Sequence, residues 1–242
     1  MPIKAAPIET LWVYLSTSPL LWLTVTLAAY LCADRISQAT KRNPLVNPVL
    51  LAVLMLTVLL WSTNTRYETY FEGAQFVHFL LGPATVALAI PLHNNWALVK
   101  KSVLPITAAL LAGSITAIVS VIALAMMFGM PKELVASLAP KSVTAAIAMG
   151  ISREIGGQPS LTATLVIATG ILGAIMVTPL MNLLRLTDYR ARGFAAGVAS
   201  HGIGTARAFQ VNPIAGTFAG IALGLNGLLT AIAVPVIIGW LR

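Results

Sequence analysis

Charge is scarce in this chain: of 242 residues only 9% are Asp, Glu, Lys or Arg, and just seven are acidic. So little charge beside 58% apolar residues and a mean hydropathy of +0.88 excludes an ordinary soluble domain of this length. The bilayer is its solvent. A single cysteine, Cys32, excludes an internal disulfide and a cysteine-based metal cluster, and reads as a packing residue. Leu31 before it is not the small residue that a lipidated cysteine needs. Enzyme signatures are missing too: there is no H-E-x-x-H, no G-x-S-x-G, no Walker lysine loop and no pair of carboxylates inside an apolar run. No catalytic residue, metal ligand or cofactor is therefore expected. The net charge of +8 does not imply nucleic acid, because most Lys and Arg stand at the ends of apolar runs, where orientation signals stand.

What is present is a series of long apolar runs, at 11–33, 46–61, 76–92, 103–130, 134–151, 161–184, 193–209 and 214–241. A span needs about 20 such residues, so the chain reads as one integral membrane domain, all-α and polytopic, with seven to eight hydrophobic segments. Arg35, Lys41, Arg42, Lys100 and Lys101 put the connections after the first and third runs in the cytoplasm. Arg185, Arg190 and Arg192 argue the same for the connection after 161–184. Those assignments conflict if every run crosses. The segment 134–151 is therefore expected to be re-entrant or broken, and 193–209 carries the same ambiguity, on which the side of the C-terminus depends. Ser152 to Ser160 reads as a tight turn at the water boundary.

Within 134–151 stands Lys141, after Pro140 and before Ser142 and Thr144. A lysine at bilayer depth costs about 2.5–3.5 kcal/mol, so it persists where protein or water satisfies it and usually where it works. Gly82-Pro83-Ala84-Thr85-Val86-Ala87 echoes Ala139-Pro140-Lys141-Ser142-Val143-Thr144. Paired Pro-interrupted segments point to a transporter site, because half-helix N-termini bind carboxylates, and they suggest an inverted repeat. Two kinked structural helices are the plainer account. A third irregular element, Ala199 to Arg207, holds Ser200, His201, Gly202, Gly204, Thr205 and Arg207, with hydroxyls, an imidazole and a guanidinium suited to a carboxylate. For Arg207 the alternative is an interfacial charge at a helix end, and for His201 a packing role. Asn226, polar in the last run, either hydrogen-bonds a broken element or makes a plain interhelical contact.

The runs at 81–92 (LGPATVALAIPL), 139–152 (APKSVTAAIAMGIS), 155–163 (IGGQPSLTA), 169–174 (TGILGA), 191–209 (ARGFAAGVASHGIGTARAF) and 224–231 (GLNGLLTA) resemble the LrgB/CidB family, over about Tyr70 to the C-terminus. The resemblance implies a bacterial inner-membrane, multi-pass protein of the antiholin-like kind, modulating murein hydrolase export and lysis with a small LrgA/CidA-type membrane partner. It also implies kinship with plastid carriers of glycolate and glycerate, and with bacterial relatives linked to acids such as pyruvate. Two positions depart from the family pattern: Ala145-Ala146 stands where Thr-Pro is common, and Ala215 where an acid is often found.

The combined expectation is a helical carrier of small monocarboxylates, bound by Pro83, Thr85, Pro140, Lys141, Ser142, Thr144, Ser200, His201, Gly202, Gly204, Thr205, Arg207 and Asn226. Its partners would be a small organic anion, the lipid bilayer and the LrgA/CidA-type protein, with a homodimer allowed by the small-residue faces. The alternative is a non-transporting regulator acting through that partner.

Overall fold

The structure, a computed structural model, describes residues 18–80, 83, 86–87 and 89–241. The described residues form eleven helices and no strand, an all-α polytopic membrane protein. They divide into two compact units, 1–87 and 88–242.

The first unit holds α1 (Pro19–Ala39), α2 (Pro48–Ser62) and α3 (Tyr67–Phe79). Proline starts α1 and α2, where its missing N–H costs nothing, and the Asn47 side chain caps α2 by accepting from the N–H groups of Val49 and Leu50. Helices α1 and α3 pack through Trp22, fully buried and edge-on to Tyr70 with ring centroids 5.9 Å apart. Cys32 lies exposed on α1, so its expected packing role is not seen in this unit.

The second unit holds α4 (Ala89–Asn94), α5 (Trp96–Lys101), α6 (Val103–Met127), α7 (Lys132–Leu138), α8 (Ala145–Glu154), α9 (Pro159–Leu183), α10 (Tyr189–Val211) and α11 (Pro213–Trp240). Four described helices, α1, α6, α9 and α11, are long and apolar enough to cross a membrane. The run at 46–61 gives only the 15-residue α2. The runs at 134–151 and 193–209 are both interrupted.

Helices α7 and α8 form a hairpin. Gln158, just past α8, donates from its backbone N–H to Ser137 Oγ (2.8 Å) and from its side chain to Glu133 Oε1 (3.0 Å), so both feet of the hairpin stand together. The Thr162 hydroxyl, 2.7 Å from Ser152 Oγ and 3.0 Å from Ser137 O, pins them to α9. Ser152 is thus sealed in the hairpin's base, and the expected boundary turn is confined to the residues after α8, where Gly156 takes φ 81°. Helix α10 is a second hairpin: at His201 (φ 41°, ψ −131°) the backbone leaves helical geometry, and Ala208 on the returning arm packs beside Ala196 on the entering arm, against Ala215 and Ala219 of α11.

The two hairpins enter from opposite ends. At one end Lys101 and Ser102 share a crevice with Asp188 and Arg190. At the other, Met126 and Met130 meet Lys132, Ile155, Ile238 and Leu241. The cationic connections around Lys101 and Arg190 therefore share one side, because neither hairpin completes a crossing. The C-terminal end of α11 lies on the other side.

An inverted repeat follows from this order. Helix α6 with its hairpin begins at 103 and 132, and α9 with its hairpin begins at 159 and 189, offsets of 56 and 57 residues. The helix ends match as well. Gly129 (φ 64°) and Arg185 (φ 54°) both take the left-handed conformation after their helices, and the N–H of the next residue reaches back to Ala125 O and to Met181 O, each at 3.0 Å. The repeat foreseen in the sequence paired 82–87 with 139–144. Gly82, Ala84 and Thr85 lie outside the described residues; in the second unit the two hairpin tips are the break at 139–144 and the one at His201.

Candidate functional site at the hairpin tips

The tips meet at mid-depth on α11. Asn226, 14th of the 28 residues of that helix, donates from Nδ2 to Ser142 O of the first tip and to Val198 O beside the second, each at 3.1 Å. Its Oδ1 accepts from Ser114 Oγ of α6 at 2.6 Å, with Thr230 Oγ1 at 3.4 Å. Asn226 is 1% exposed. Its amide is thus committed to protein, as a strut between the two breaks. Val166 on α9 is the other shared contact: its side chain packs with Val143 of the first tip, and its carbonyl lies 2.9 Å from His201 Nε2 of the second. An imidazole facing a carbonyl must donate, which fixes the proton on Nε2 and leaves Nδ1 as the acceptor in the neutral ring.

At the first tip the chain runs without helix from Ala139 to Thr144. Pro140 is buried and has no N–H to give, while Ala139 before it still holds helical angles and donates to Val135 O at 3.0 Å. Thr144 is extended and α8 restarts behind it with no side-chain cap, so the first N–H groups of α8 open onto the break. Lys141 is half-buried here, with Nζ 3.3 Å from Ser142 Oγ.

At the second tip Ser200 and Thr205 are buried and Gly202 is exposed. The Thr205 hydroxyl returns to His201 O at 2.8 Å. Ser200 Oγ finds no hydrogen-bond partner among the described residues. It is pressed against Gly173 of α9, where an added Cβ would lie 1.8 Å from it. Gly204 lets the returning arm pass Ser200 and Ala196.

The expected site residues therefore fall into groups. Pro140, Lys141, Ser142 and Thr144 share the first tip, Ser200, His201, Gly202, Gly204 and Thr205 the second, and Asn226 bridges them. Arg207, 8% exposed, lies elsewhere, on the returning arm in a crevice with Tyr189, Arg192 and Ala215 toward the Lys101 end. Pro83 is exposed and belongs to the first unit, while Thr85 lies outside the described residues. Sequence reasoning missed Ser114, whose only signal was a hydroxyl in an apolar run, and Val166, whose backbone role has none.

A family model described as LrgB-like matches residues 26–240. The chain belongs to the LrgB-like family. The match starts well before Tyr70 and so takes in described helices of the first unit. Among similar proteins, the "Uncharacterized protein YwbG" of Bacillus subtilis is 34% identical over 90% of this chain and 97% of its own length. The "Holin-like protein CidB" of Staphylococcus epidermidis is 31% identical, and that of Staphylococcus aureus 32%, each over 90% of this chain and 95% of the relative. No solved structure matches. Within the family, the runs at 139–152 and 191–209 that first suggested membership are the two hairpin tips and their arms.

Proposed function

We propose that this LrgB-like protein carries small monocarboxylates of the glycolate, glycerate or pyruvate kind, bound where the hairpin tips meet. The observation that carries the reading is the double hydrogen bond from Asn226 to both breaks, because it places two interrupted elements, entering from opposite ends, at one mid-depth point. Secondary carriers bind substrate at such points between repeats, where half-helix N-termini face the anion. Lys141 supplies the charge. Ser142, Thr144 and the first N–H groups of α8 orient the carboxylate from one side, and His201 Nδ1, Gly202 N–H and Thr205 face it from the other. The hydroxyl of a 2-hydroxy acid suits the Nδ1 acceptor. The excess of Lys and Arg at the Lys101 end supports a cytoplasmic position for that end in a bacterial inner membrane.

Counterflow of labelled glycolate or pyruvate in proteoliposomes tests the assignment. Lys141→Ala is expected to insert normally and to lose saturable flux, and unaltered saturable flux in that variant would reject the role of Lys141. The names of the staphylococcal relatives favour a second reading, in which the chain regulates lysis with a small LrgA/CidA-type membrane partner. Flux by the purified chain alone supports the carrier; flux that needs the partner, or none at all, supports the regulator.

A further inference from the structure

The three long helices of the second unit, α6, α9 and α11, hold not one ionisable side chain over residues 103–127, 159–183 and 213–240. Each hairpin tip holds one: Lys141 at the first and His201 at the second. The other described charges of this unit stand nearer its ends. Arg185, Asp188, Tyr189, Arg190 and Arg192 gather where α9 passes into α10, and Arg207 lies on the returning arm of α10. The short helices α4 and α5 bring His93, Lys100 and Lys101 to that same end. Lys132, Glu133, Arg153 and Glu154 belong to the feet of the first hairpin, at the opposite end. A proton relayed through the middle of this unit by a side chain has only Lys141 and His201 to ride on.

Of the two, His201 is the one suited to give up a proton near neutral pH, since an unperturbed imidazole titrates at about 6.5 and an ammonium at about 10.4. The ring is also placed for it. Nε2 is fixed on Val166 O at 2.9 Å, and the Cε1–Nε2 edge lies against Gly170, where an added Cβ would come within 2.7 Å of both atoms. That leaves Nδ1 as the nitrogen not held by α9, and it makes no hydrogen bond among the described residues. The backbone points the same way. His201 takes φ 41° although the next residue, Gly202, would adopt a positive φ without strain. Strain held on a side-chain-bearing residue beside a glycine marks a task for the ring.

We infer that His201 is the coupling group of the carrier, binding one proton at Nδ1 each time a carboxylate enters the site, so that anion and proton cross together. This rests on the carrier reading and deepens it. In the neutral ring Nδ1 only accepts; with a proton taken from water on the loading side it becomes a donor, and the imidazolium adds to the positive charge of Lys141 on the other tip. A carboxylate therefore binds the protonated site more tightly, and by linkage the bound carboxylate holds the proton more tightly to the same degree. When the site opens to the far side the anion leaves, the Nδ1–H bond breaks, its proton passes to water there and the ring is neutral again. Lys141 keeps its charge throughout, and the cargo of one anion with one proton carries none.

The test begins with the full chain carrying His78→Gln and His93→Gln, which leaves His201 as its one histidine, in nanodiscs with nitrogen-labelled histidine for NMR. Saturating glycolate should move the His201 titration midpoint up by about one pH unit or more, a tenfold gain in proton affinity. A midpoint that glycolate leaves in place overturns the inference. In proteoliposomes of the parent protein, with the membrane potential clamped and protein-free vesicles as the baseline, a gradient of about two pH units, acid outside, should drive labelled glycolate to at least about tenfold accumulation. His201→Gln and His201→Asn keep an amide donor and lose the titratable nitrogen. Whichever of them retains counterflow should lose this accumulation, and its half-saturating glycolate concentration should no longer rise with pH, a change that a merely structural role for the ring would not produce. Accumulation that persists in such a variant overturns the inference. Glycolate counterflow by the parent at equal pH is measured in parallel: its absence overturns the carrier reading and this inference with it, whereas counterflow without gradient-driven accumulation overturns only the inference.

Discussion

Replacing Asn226 by leucine would untie both hairpins while keeping most of the side-chain volume. The loss is then mainly polar: Ser142 O and Val198 O each lose an N–H donor at 3.1 Å, and Ser114 Oγ loses an acceptor at 2.6 Å. Interhelical hydrogen bonds in bilayers average about 0.6 kcal/mol, because helices unfolded within the membrane find other partners. Carbonyls at a break are worse placed than side chains to find substitutes, and a buried group left unmade costs about 1–3 kcal/mol. The Ser114 hydroxyl can turn to a carbonyl of its own helix, so its share is small. We expect a total of about 2–4 kcal/mol for Asn226→Leu, read as a shift in reversible SDS unfolding in mixed micelles. Asn226→Asp should also be severe, since a buried carboxyl held neutral offers one O–H where two carbonyls need donors. Ser114→Ala alone should cost about 0.5–1.5 kcal/mol, and the double variant less than the sum of the two. A loss below about 0.5 kcal/mol for Asn226→Leu would refute the strut.

Close packing makes a second set of expectations. At Gly193 a Cβ would lie 2.0 Å from Ala215 O, and at Gly197 2.2 Å from Ala219 O, both backbone atoms that cannot swing away. Gly193→Ala and Gly197→Ala should each destabilise by more than about 2 kcal/mol in the same unfolding assay, whereas Gly224→Ala, which meets nothing within 4 Å, should be neutral or stabilise by up to about 1 kcal/mol. His201 holds a positive φ that glycine tolerates, so His201→Gly should be less destabilising than His201→Ala by about 1–2 kcal/mol, although both lose the bond to Val166 O. Asp188 caps α10 by accepting from Arg190 N–H, and its hydrogen bond to the Arg190 side chain holds its carboxyl below the usual range. A lowered folded-state pKa contributes stability above the unfolded value of about 3.9 that is lost as pH falls through the folded one. Asp188→Ala should therefore lower stability by about 1 kcal/mol at pH 7, with the gap from the parent closing only below about pH 4.

The hairpins were half legible. Pro140 and the charge on Lys141 marked the first break, because proline and an intramembrane cation both carry a large local cost. The conflict between Lys101 and Arg190 under simple counting already required a segment that does not cross. The second break had a weaker signal, glycines around a histidine, and nothing local says that His201 rather than Gly202 takes the positive φ. The echo at 82–87 lies in part outside the described residues, and in the second unit the two breaks that mark the repeat are those at Pro140 and at His201. Arg207 was grouped with Lys141 on chemistry alone; six residues past a reversal, its arm has carried it toward the Lys101 end.

Composition by itself determined the solvent, the helical class and the places where helices must fail, since these follow from hydropathy, span length and the loss of backbone donors at proline. Family membership was equally legible in the runs at 139–152 and 191–209. Only the tertiary structure decided that both breaks turn back on themselves, that they arrive from opposite ends, and that Asn226 joins them. Those outcomes depend on which buried carbonyl each polar side chain reaches across 28 to 112 residues of chain, a choice made by packing and not by any local pattern.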